Sequence, residues 1–170
     1  MTTASTFLPL KGEKRWAYIT REKSIRLAST SDDGSIYLSP LWYVVREKRI
    51  YLPVDAGSRH GANAEAGRSL SALVDSGDEY ATVHGVRIVG KLVRVTDQQL
   101  VDELQQLVFD KYFYVGHPYA DSYFQFGVAA GRAYYELVAD KMIGWDMREV
   151  SLPQVPEARV LPDFVADRLL

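Results

Sequence analysis

The chain has 170 residues, of which 47% are hydrophobic and 25% charged, and its formal net charge is -2. This length suits a single globular domain, and the absence of cysteine excludes disulfides, thiolate catalysis and cysteine metal sites. With three histidines we expect no metal site, and without a long basic run we expect no nucleic-acid partner. The sequence has no signal-peptide pattern and no apolar run of membrane-spanning length, so we expect a cytoplasmic protein that does not bind membranes.

The first part of the chain predicts a helix followed by strands. Residues 1–10 have the character of a loose arm, and residues 11–23 predict a short helix. Apolar and polar residues alternate over residues 24–30, which is typical of a strand. An Asp33–Gly34 turn then leads into one second strand over residues 36–45.

Two prolines and a helix signal mark the next part of the chain. Residues 49–54 predict a third strand. Pro40 and Pro53 lack an amide donor, so we expect their strands to lie at an edge or to have an interrupted ladder. Residues 58–77 fit a helix that is capped by Ser58.

The second half of the chain predicts a hairpin and a long helix. Residues 79–96 predict two antiparallel strands joined by a tight turn at His84–Gly85. Residues 97–113 carry leucines at helical spacing and form the clearest predicted helix, with Thr96 or Asp97 as its cap.

The last strand and the pattern of connections complete the fold prediction. A connection rich in glycine and aromatic residues leads to a strand over residues 133–146. Six strands with short turns and few helices favour a mainly β, α+β fold, with an antiparallel sheet that closes into a barrel and helices outside it. We expect an N-terminal arm and helix (1–23), a barrel domain (24–150) and a C-terminal tail (151–170).

The segment RIYLPVDAGSRHGAN, residues 49–63, contains the main candidate for a binding site. A strand ends there and Ser58, Arg59 and His60 follow in succession, with Asn63 one helical turn further on. Hydroxyl, guanidinium and ring N–H donors at a helix start suit a phosphate or a carboxylate. The alternative is that Ser58 only caps the helix and that Arg59 is a solvated surface residue.

Several motifs, in order, resemble the pyridoxamine 5′-phosphate oxidase-like family, the flavin-binding split barrels. They are IRLAST followed by DDGSIYLSPLWYVV, then RIYLPVDAGSRHGAN, VRIVGKLVRV and IGWD. The resemblance implies a six-stranded split β-barrel that forms a homodimer, with a flavin-type cofactor in a groove between the subunits. It implies FMN, or alternatively the deazaflavin F-420, and hydride transfer to or from a small organic substrate.

The resemblance also assigns roles to residues. Ser58 and Arg59 match the Ser-Arg pair that binds the cofactor phosphate, while His60 stands where many members have lysine. Residues expected along or beside the flavin ring are Arg26, Leu27, Ala28, Ser29, Leu52 and Pro53. Because the ring itself accepts and donates hydride, no catalytic side chain is predicted.

Two alternatives remain open at this level. The barrel can instead serve as a non-catalytic flavin-, deazaflavin- or haem-binding module, and haem would use His60, His84 or His117 as its axial ligand. The aromatic segment 112–126 either lines a pocket over the cofactor or seals the dimer, and a packed interface is favoured. The C-terminal LPDFVADRLL lacks the arginine-rich substrate segment of true pyridoxamine phosphate oxidases.

Overall fold

Alternating burial along short segments sets the strands, as over Ile25–Thr30, where every second residue is buried and the others are half-buried or exposed. The computed structural model describes residues 9–148. The predicted arm over 1–10 and the predicted tail over 151–170 lie almost wholly outside these residues. The strands are β1 (Ile25–Thr30), β2 (Ile36–Leu41), β3 (Val44–Arg46), β4 (Arg49–Asp55), β5 (Ser69–Ser76), β6 (His84–Arg94) and β7 (Arg132–Asp146), and the helices are α1 (Gly12–Arg21), α2 (Arg59–Glu65), α3 (Gln98–Tyr112) and α4 (Ala120–Ala129).

The described strands form one antiparallel sheet in the order β2-β1-β5-β6-β7-β4-β3. The sheet curls into a half-barrel, with β2 at one edge and β3 at the other. The predicted fold class, mainly β with flanking helices, is confirmed. The sheet has seven strands where six were predicted. The predicted strand over 36–45 is divided in two, and β5 takes the place of the predicted strand over 79–85, which is not a separate strand.

That division has a specific cause. The hydroxyl of Tyr112, at the end of α3, donates to the backbone oxygen of Tyr43 at 2.7 Å and accepts from its backbone nitrogen at 2.9 Å. The backbone of Tyr43 is therefore bonded to a side chain and leaves the ladder. The chain pairs with β1 before this point and with β4 after it.

The prolines lie where the sheet has free edges. Pro40 is on the edge strand β2, opposite Arg26 of β1. Pro53 is on the part of β4 that extends beyond the pairing with β3, so it has a partner only on β7, at Tyr134. The prediction of an edge or an interrupted ladder is confirmed at both positions.

The predicted helix over 58–77 is wrong in its second half. Helix α2 ends at Glu65, and Gly67 adopts a positive φ of 67° that ends the turn. Residues 69–76 then form β5, in which Leu70, Ala72 and Val74 face the core and the backbone pairs with both β1 and β6. Pairing on both sides outweighs the modest helix propensity of this segment.

The predicted turn at His84–Gly85 is also wrong, because both residues belong to the continuous strand β6. The chain reverses earlier, at Gly77, where φ is 95°. Gly85 lies in mid-sheet, and a Cβ on it would approach the carbonyl oxygen of Val74 to 2.8 Å. The glycine there serves close packing against its neighbours and not a turn.

The helices cover the two ends of the core. Helix α1 inserts Tyr18 and Ile19 into the main cluster, which also contains Leu27 and Leu52. Helix α3 begins with Asp97, whose side chain accepts from the backbone nitrogen of Gln99 at 3.0 Å, as predicted for its cap. It packs on a second apolar cluster, and α4 replaces part of the predicted connection. No helix in the described part of the chain has the length and apolarity that crossing a membrane requires.

Candidate functional site

A groove of about 300 Å³ opens beside the start of α2, a volume at the lower end for small-molecule sites. One side is formed by the edge strand β2 and the other by the end of β4, which extends beyond its pairing with β3 and is paired only with β7. Its lining residues are Tyr37, Ser39, Pro40, Leu41, Trp42, Pro53, Val54, Asp55, Ser58, His60, Tyr123 and Arg132. Apolar walls with a few polar groups between them are the usual composition of a ligand site.

Ser58 stands where β4 turns into α2. Its hydroxyl oxygen accepts from the backbone nitrogen of Gly61 at 3.0 Å, so it caps the helix. A Cβ at Gly61 would lie 2.8 Å from the carbonyl oxygen of Asp55, which is why glycine is needed where α2 leaves the strand. Because the oxygen is the acceptor in the capping bond, the hydroxyl hydrogen remains available to a ligand in the groove.

Arg59 lies on the rim of the groove. Its guanidinium carbon is 5.5 Å from the centre of the Tyr37 ring, a cation–π arrangement, and Tyr37 is itself a lining residue. Arg59 also faces an adjoining cleft between α2 and the β1–β2 turn, where Asp33 and Ser35 lie. The guanidinium is thus held near the groove and exposed to solvent.

His60 is buried, with 2% of its surface exposed, and both ring nitrogens are hydrogen-bonded. Nδ1 lies 3.0 Å from Ser29 Oγ, and Nε2 lies 2.9 Å from Ser39 Oγ. Asn63 Nδ2 donates to the same Ser29 hydroxyl at 2.8 Å. Burial lowers the pKa of His60, so the neutral imidazole is favoured and the residue joins α2 to β1 and β2 without contributing charge.

The structure divides the predicted site residues into groups. Pro53, Ser58 and His60 line the groove, and Arg59 lies on its rim. Ser29 and Asn63 stand behind His60. The remaining four are elsewhere: Leu27 and Leu52 are fully buried in the core, Arg26 pairs with Asp75 on the sheet surface, and Ala28 is half-buried on β1.

Strand β2 supplies groove residues that were not predicted. Tyr37, Ser39 and Leu41 alternate along it on the half-buried face, while the residues between them are exposed. The sequence motif that contains them is part of the family resemblance, but that resemblance places the flavin ring along β1. The alternation of residues along β2 indicates that one face of this strand is half-buried. It does not indicate which of the two paired strands faces the groove, because that depends on the curl of the sheet.

Aromatic side chains form one wall of the groove. The ring of Trp42 stacks on Tyr112 with 4.2 Å between centroids and 5° between planes, and Tyr123 lies 5.0 Å away. Burial raises the pKa of Tyr112 and of Tyr123. These hydroxyls therefore stay protonated, and Trp42, which is 37% exposed, presents a flat apolar face held from behind.

An ion pair lies next to the aromatic wall of the groove. Arg132 Nε, at the start of β7, is 2.7 Å from Asp55 Oδ1, at the end of β4. The guanidinium carbon lies 4.3 Å from the centre of the Tyr123 ring. Neither residue was predicted, because Asp55 and Arg132 are 77 positions apart and meet only through the pairing of β4 with β7.

The other two histidines lie away from the groove. His84 is buried near Tyr18, with its Nδ1 2.7 Å from the carbonyl oxygen of Thr82. His117 packs against Phe113 and Tyr114 in the segment between α3 and α4. Within residues 9–148 no three metal-ligating side chains of His, Asp or Glu cluster together.

A curled antiparallel half-barrel with a groove at its open edge defines a split-barrel protein. The family model described as pyridoxamine 5′-phosphate oxidase matches residues 13–146, and the chain belongs to that family. No curated protein matches the sequence.

Solved structures share this fold. One is a conserved hypothetical protein, Rv2991 of Mycobacterium tuberculosis, with 23% identity, a TM-score of 0.72 and coverage of 94% of this chain and 98% of that one. A FAD-binding protein of Mesorhizobium loti has 17% identity, a TM-score of 0.63 and coverage of 82% and 97%. The haem storage protein HutZ of Vibrio cholerae has 10% identity, a TM-score of 0.63 and coverage of 79% and 95%. At these identities the likeness shows the fold.

Proposed function

We propose that this protein is an oxidoreductase that binds a flavin-type cofactor and transfers hydride to or from a small organic substrate. One observation carries the proposal: the groove has a flat aromatic wall at Trp42 and a hydroxyl donor at Ser58, and the guanidinium of Arg59 lies beside it, against the lining residue Tyr37. A flavin needs an apolar slot for its ring and cations or amides for its phosphate. Membership of the pyridoxamine 5′-phosphate oxidase family and the FAD-binding structural relative support the same ligand class.

The residues of this chain have separate tasks in the proposed complex. Ser58 and Arg59 bind the phosphate, with Arg59 held in place by the ring of Tyr37. Trp42 and Pro53 flank the ring and keep water from it. His60 supplies no positive charge, so the phosphate depends mainly on Arg59. The bound flavin supplies the redox chemistry. We propose FMN as the cofactor and F-420 as the alternative.

A second copy of the chain completes the proposed site. The outer face of β2 exposes Ile36, at 73%, and Leu38, at 62%, directly behind the groove-facing Tyr37 and Ser39. Adjacent apolar side chains on a solvent-facing sheet are typical of a protein interface. We therefore propose a homodimer that buries this face and brings residues of the partner to the groove, in a cytoplasmic protein.

A non-catalytic module is the second candidate, and the haem-storage relative gives it a specific form. Of the three histidines, His60 is the one that lines the groove of the described chain, and both its nitrogens are bonded to serine hydroxyls. Ligation of a haem iron would break that network, so the geometry favours a flavin-type ligand. The absorption spectrum of the purified protein separates flavin, deazaflavin and haem.

The phosphate role of Arg59 is tested by titrating FMN, and separately F-420, into the wild-type protein and Arg59→Ala. We expect the substitution to weaken binding by about 1–3 kcal/mol, the range for a lost charged hydrogen bond, measured by flavin fluorescence. Arg21→Ala is a matched control, because Arg21 is an exposed arginine 5.7 Å from the Tyr18 ring on α1. Equal affinity of Arg59→Ala and the wild-type protein would remove the proposed phosphate site.

A further inference from the structure

The Asp55–Arg132 pair has features that a simple surface ion pair lacks. The side chains are 31% and 13% exposed, and both line the groove. Arg132 also donates from Nη1 to the carbonyl oxygen of Tyr123 at 3.4 Å and stacks on the Tyr123 ring. Gly127 leaves room for it, because a Cβ there would lie 2.9 Å from Nη1. These three contacts, together with the space at Gly127, hold the guanidinium in one orientation.

The pair retains unused hydrogen-bonding capacity. A guanidinium has five N–H donors, and a carboxylate accepts at both oxygens. Among residues 9–148, Arg132 donates from Nε and Nη1, and the Asp55 carboxylate accepts at Oδ1. Nη2 of Arg132 and Oδ2 of Asp55 have no hydrogen-bond partner among these residues. Because both residues line the groove, this donor and this acceptor are the groups of the pair that are left for a ligand there.

The charges of the pair cancel, which restricts the kind of ligand it suits. A free anion would meet the Asp55 carboxylate as well as the guanidinium, and it would gain little net attraction. A neutral group that presents its own acceptor beside a donor can instead pair with both. Arg59, exposed and without a carboxylate at hydrogen-bonding distance in the described chain, is the better partner for an anion.

We infer that Asp55 and Arg132 determine ligand specificity by recognising a planar imide edge, an N–H donor flanked by carbonyl acceptors. Flavins and 5-deazaflavins both carry such an edge, and haem does not. The inference rests on the proposed function and deepens it: the pair selects flavin-type rings as a class and does not distinguish FMN from F-420. Asp55 accepts from the imide N–H, and Arg132 donates to the neighbouring carbonyl.

A structural role is the competing explanation, since Asp55 and Arg132 lie directly opposite each other on β4 and β7. The same two strands provide a matched control. Glu136 on β7 pairs with Arg49 on β4 at 3.5 Å, and neither residue lines the groove. Glu136→Gln therefore removes an ion pair between these strands without changing the proposed edge-binding site.

The test uses FMN and 3-methyl-FMN, in which a methyl group replaces the imide hydrogen, titrated by fluorescence into the full chain. We expect the wild-type protein and Glu136→Gln to prefer FMN about tenfold, as one hydrogen bond to a charged group allows. In Asp55→Asn the amide oxygen keeps the hydrogen bond to Arg132, and the amide NH₂ group takes the position of Oδ2, which the imide N–H would contact. A donor then faces a donor, so this variant should bind FMN more weakly and lose the preference. Arg132→Lys should weaken both ligands.

The outcomes separate the two proposals. A wild-type protein that binds both flavins equally, or an Asp55→Asn variant that keeps the wild-type preference, overturns the inference and leaves the proposed function intact. A wild-type protein that binds neither flavin nor F-420 overturns the proposed function and the inference with it. Thermal unfolding checks that the variants fold. If Asp55→Asn does not fold, the preference of the wild-type protein decides the question.

Discussion

The ring of His60 on α2 is hydrogen-bonded to both β1 and β2, so its protonation state affects the stability of the fold. The serine hydroxyls of β1 and β2 bond to its two nitrogens, and the ring of Tyr37 lies 4.6 Å away. Each hydroxyl can donate or accept, so the neutral ring is satisfied in either tautomer. Burial lowers the pKa of His60, and no carboxylate contacts the ring among the described residues to stabilise a charge.

This predicts a loss of stability in mild acid. The pKa of His60 is lower in the folded state than its ordinary value of 6.5, so below about pH 6.5 the unfolded chain binds more protons. The free energy of unfolding should fall as the pH decreases from 7.5 to 5. The pKa values of Asp33 and Asp146 are also lowered, but from 3.8, so these groups titrate below this window.

The measurement is urea unfolding at both pH values. His60→Gln keeps hydrogen-bonding groups at the site and removes the titration, so its loss of stability in acid should be clearly smaller. His117→Gln, at a position between α3 and α4 outside the groove, should behave as the wild-type protein. A His60→Gln variant with the full wild-type pH dependence would contradict the interpretation.

At the scale of single residues, the sequence predicted what local chemistry determines. Ser58 and Asp97 are caps because a short polar side chain before a helix bonds to its first free amides. Asp55 with Arg132, and Trp42 with Tyr112, could not be predicted, since each pair depends on long-range packing. Arg26 and Leu27 were assigned to the site through resemblance, and the structure places them on the sheet surface and in the core.

At the scale of elements, α3 carries a buried cation across the edge of the sheet. Lys111 Nζ lies 3.8 Å from the centre of the Tyr43 ring and is buried without a hydrogen-bond partner in the described chain. Burial lowers the pKa of Lys111 to about 8, although the nearby carboxylate of Glu22 opposes the shift. The ring attracts the ammonium group, but it does not replace the lost hydration.

The lowered pKa of Lys111 predicts that the free energy of unfolding rises with pH. Between about pH 8 and the ordinary value of 10.5, the unfolded chain binds more protons at this lysine than the folded chain does. We expect the free energy of unfolding to rise by about 1 kcal/mol between about pH 7.5 and 9, after allowance for solvent screening. The pKa values of six tyrosines are raised above their ordinary value of 10. They are Tyr18, Tyr43, Tyr112, Tyr123, Tyr134 and Tyr135, and their combined opposing effect becomes comparable only above about pH 9.

Urea unfolding of Lys111→Met checks this at both pH values. The variant has a side chain of similar length and no charge, so it should be more stable at pH 7.5 and should lack the rise. Lys91→Met removes an exposed lysine from β6 and should retain the rise. Equal pH dependence in Lys111→Met and the wild-type protein would show that Lys111 titrates normally.

Elements in which apolar residues recur with a clear helical or strand period were predicted well. Helix α3 has apolar residues on one face and a cap, and its predicted bounds agree with Gln98–Tyr112. The segment that becomes β5 carries alanine, serine and leucine, which suit a helix as well as a strand, and pairing with β1 and β6 decides between them. The break after β2 depends on the Tyr112 hydroxyl, which comes from a distant element.

At the scale of the whole molecule, the open edge of the sheet joins the groove to the proposed dimer. The same strand, β2, presents Tyr37 and Ser39 to the groove and Ile36 and Leu38 to solvent. A charge placed on the outer face of β2 should therefore directly weaken the proposed dimer. It should act on ligand binding only through the partner, since the inward residues remain unchanged.

Leu38→Asp tests this connection. Its carboxylate would lose hydration on burial between two copies, at a cost of several kcal/mol, so we expect a shift from dimer to monomer in light scattering at micromolar concentration. FMN affinity should fall with the dimer fraction and recover in part as the protein concentration is raised. Tyr80→Asp changes a residue that is 71% exposed between β5 and β6, and it should alter neither quantity. A monomeric wild-type protein, or a dimeric Leu38→Asp variant, would place the interface elsewhere, whereas a monomeric variant with undiminished FMN affinity would show that one chain forms the whole site.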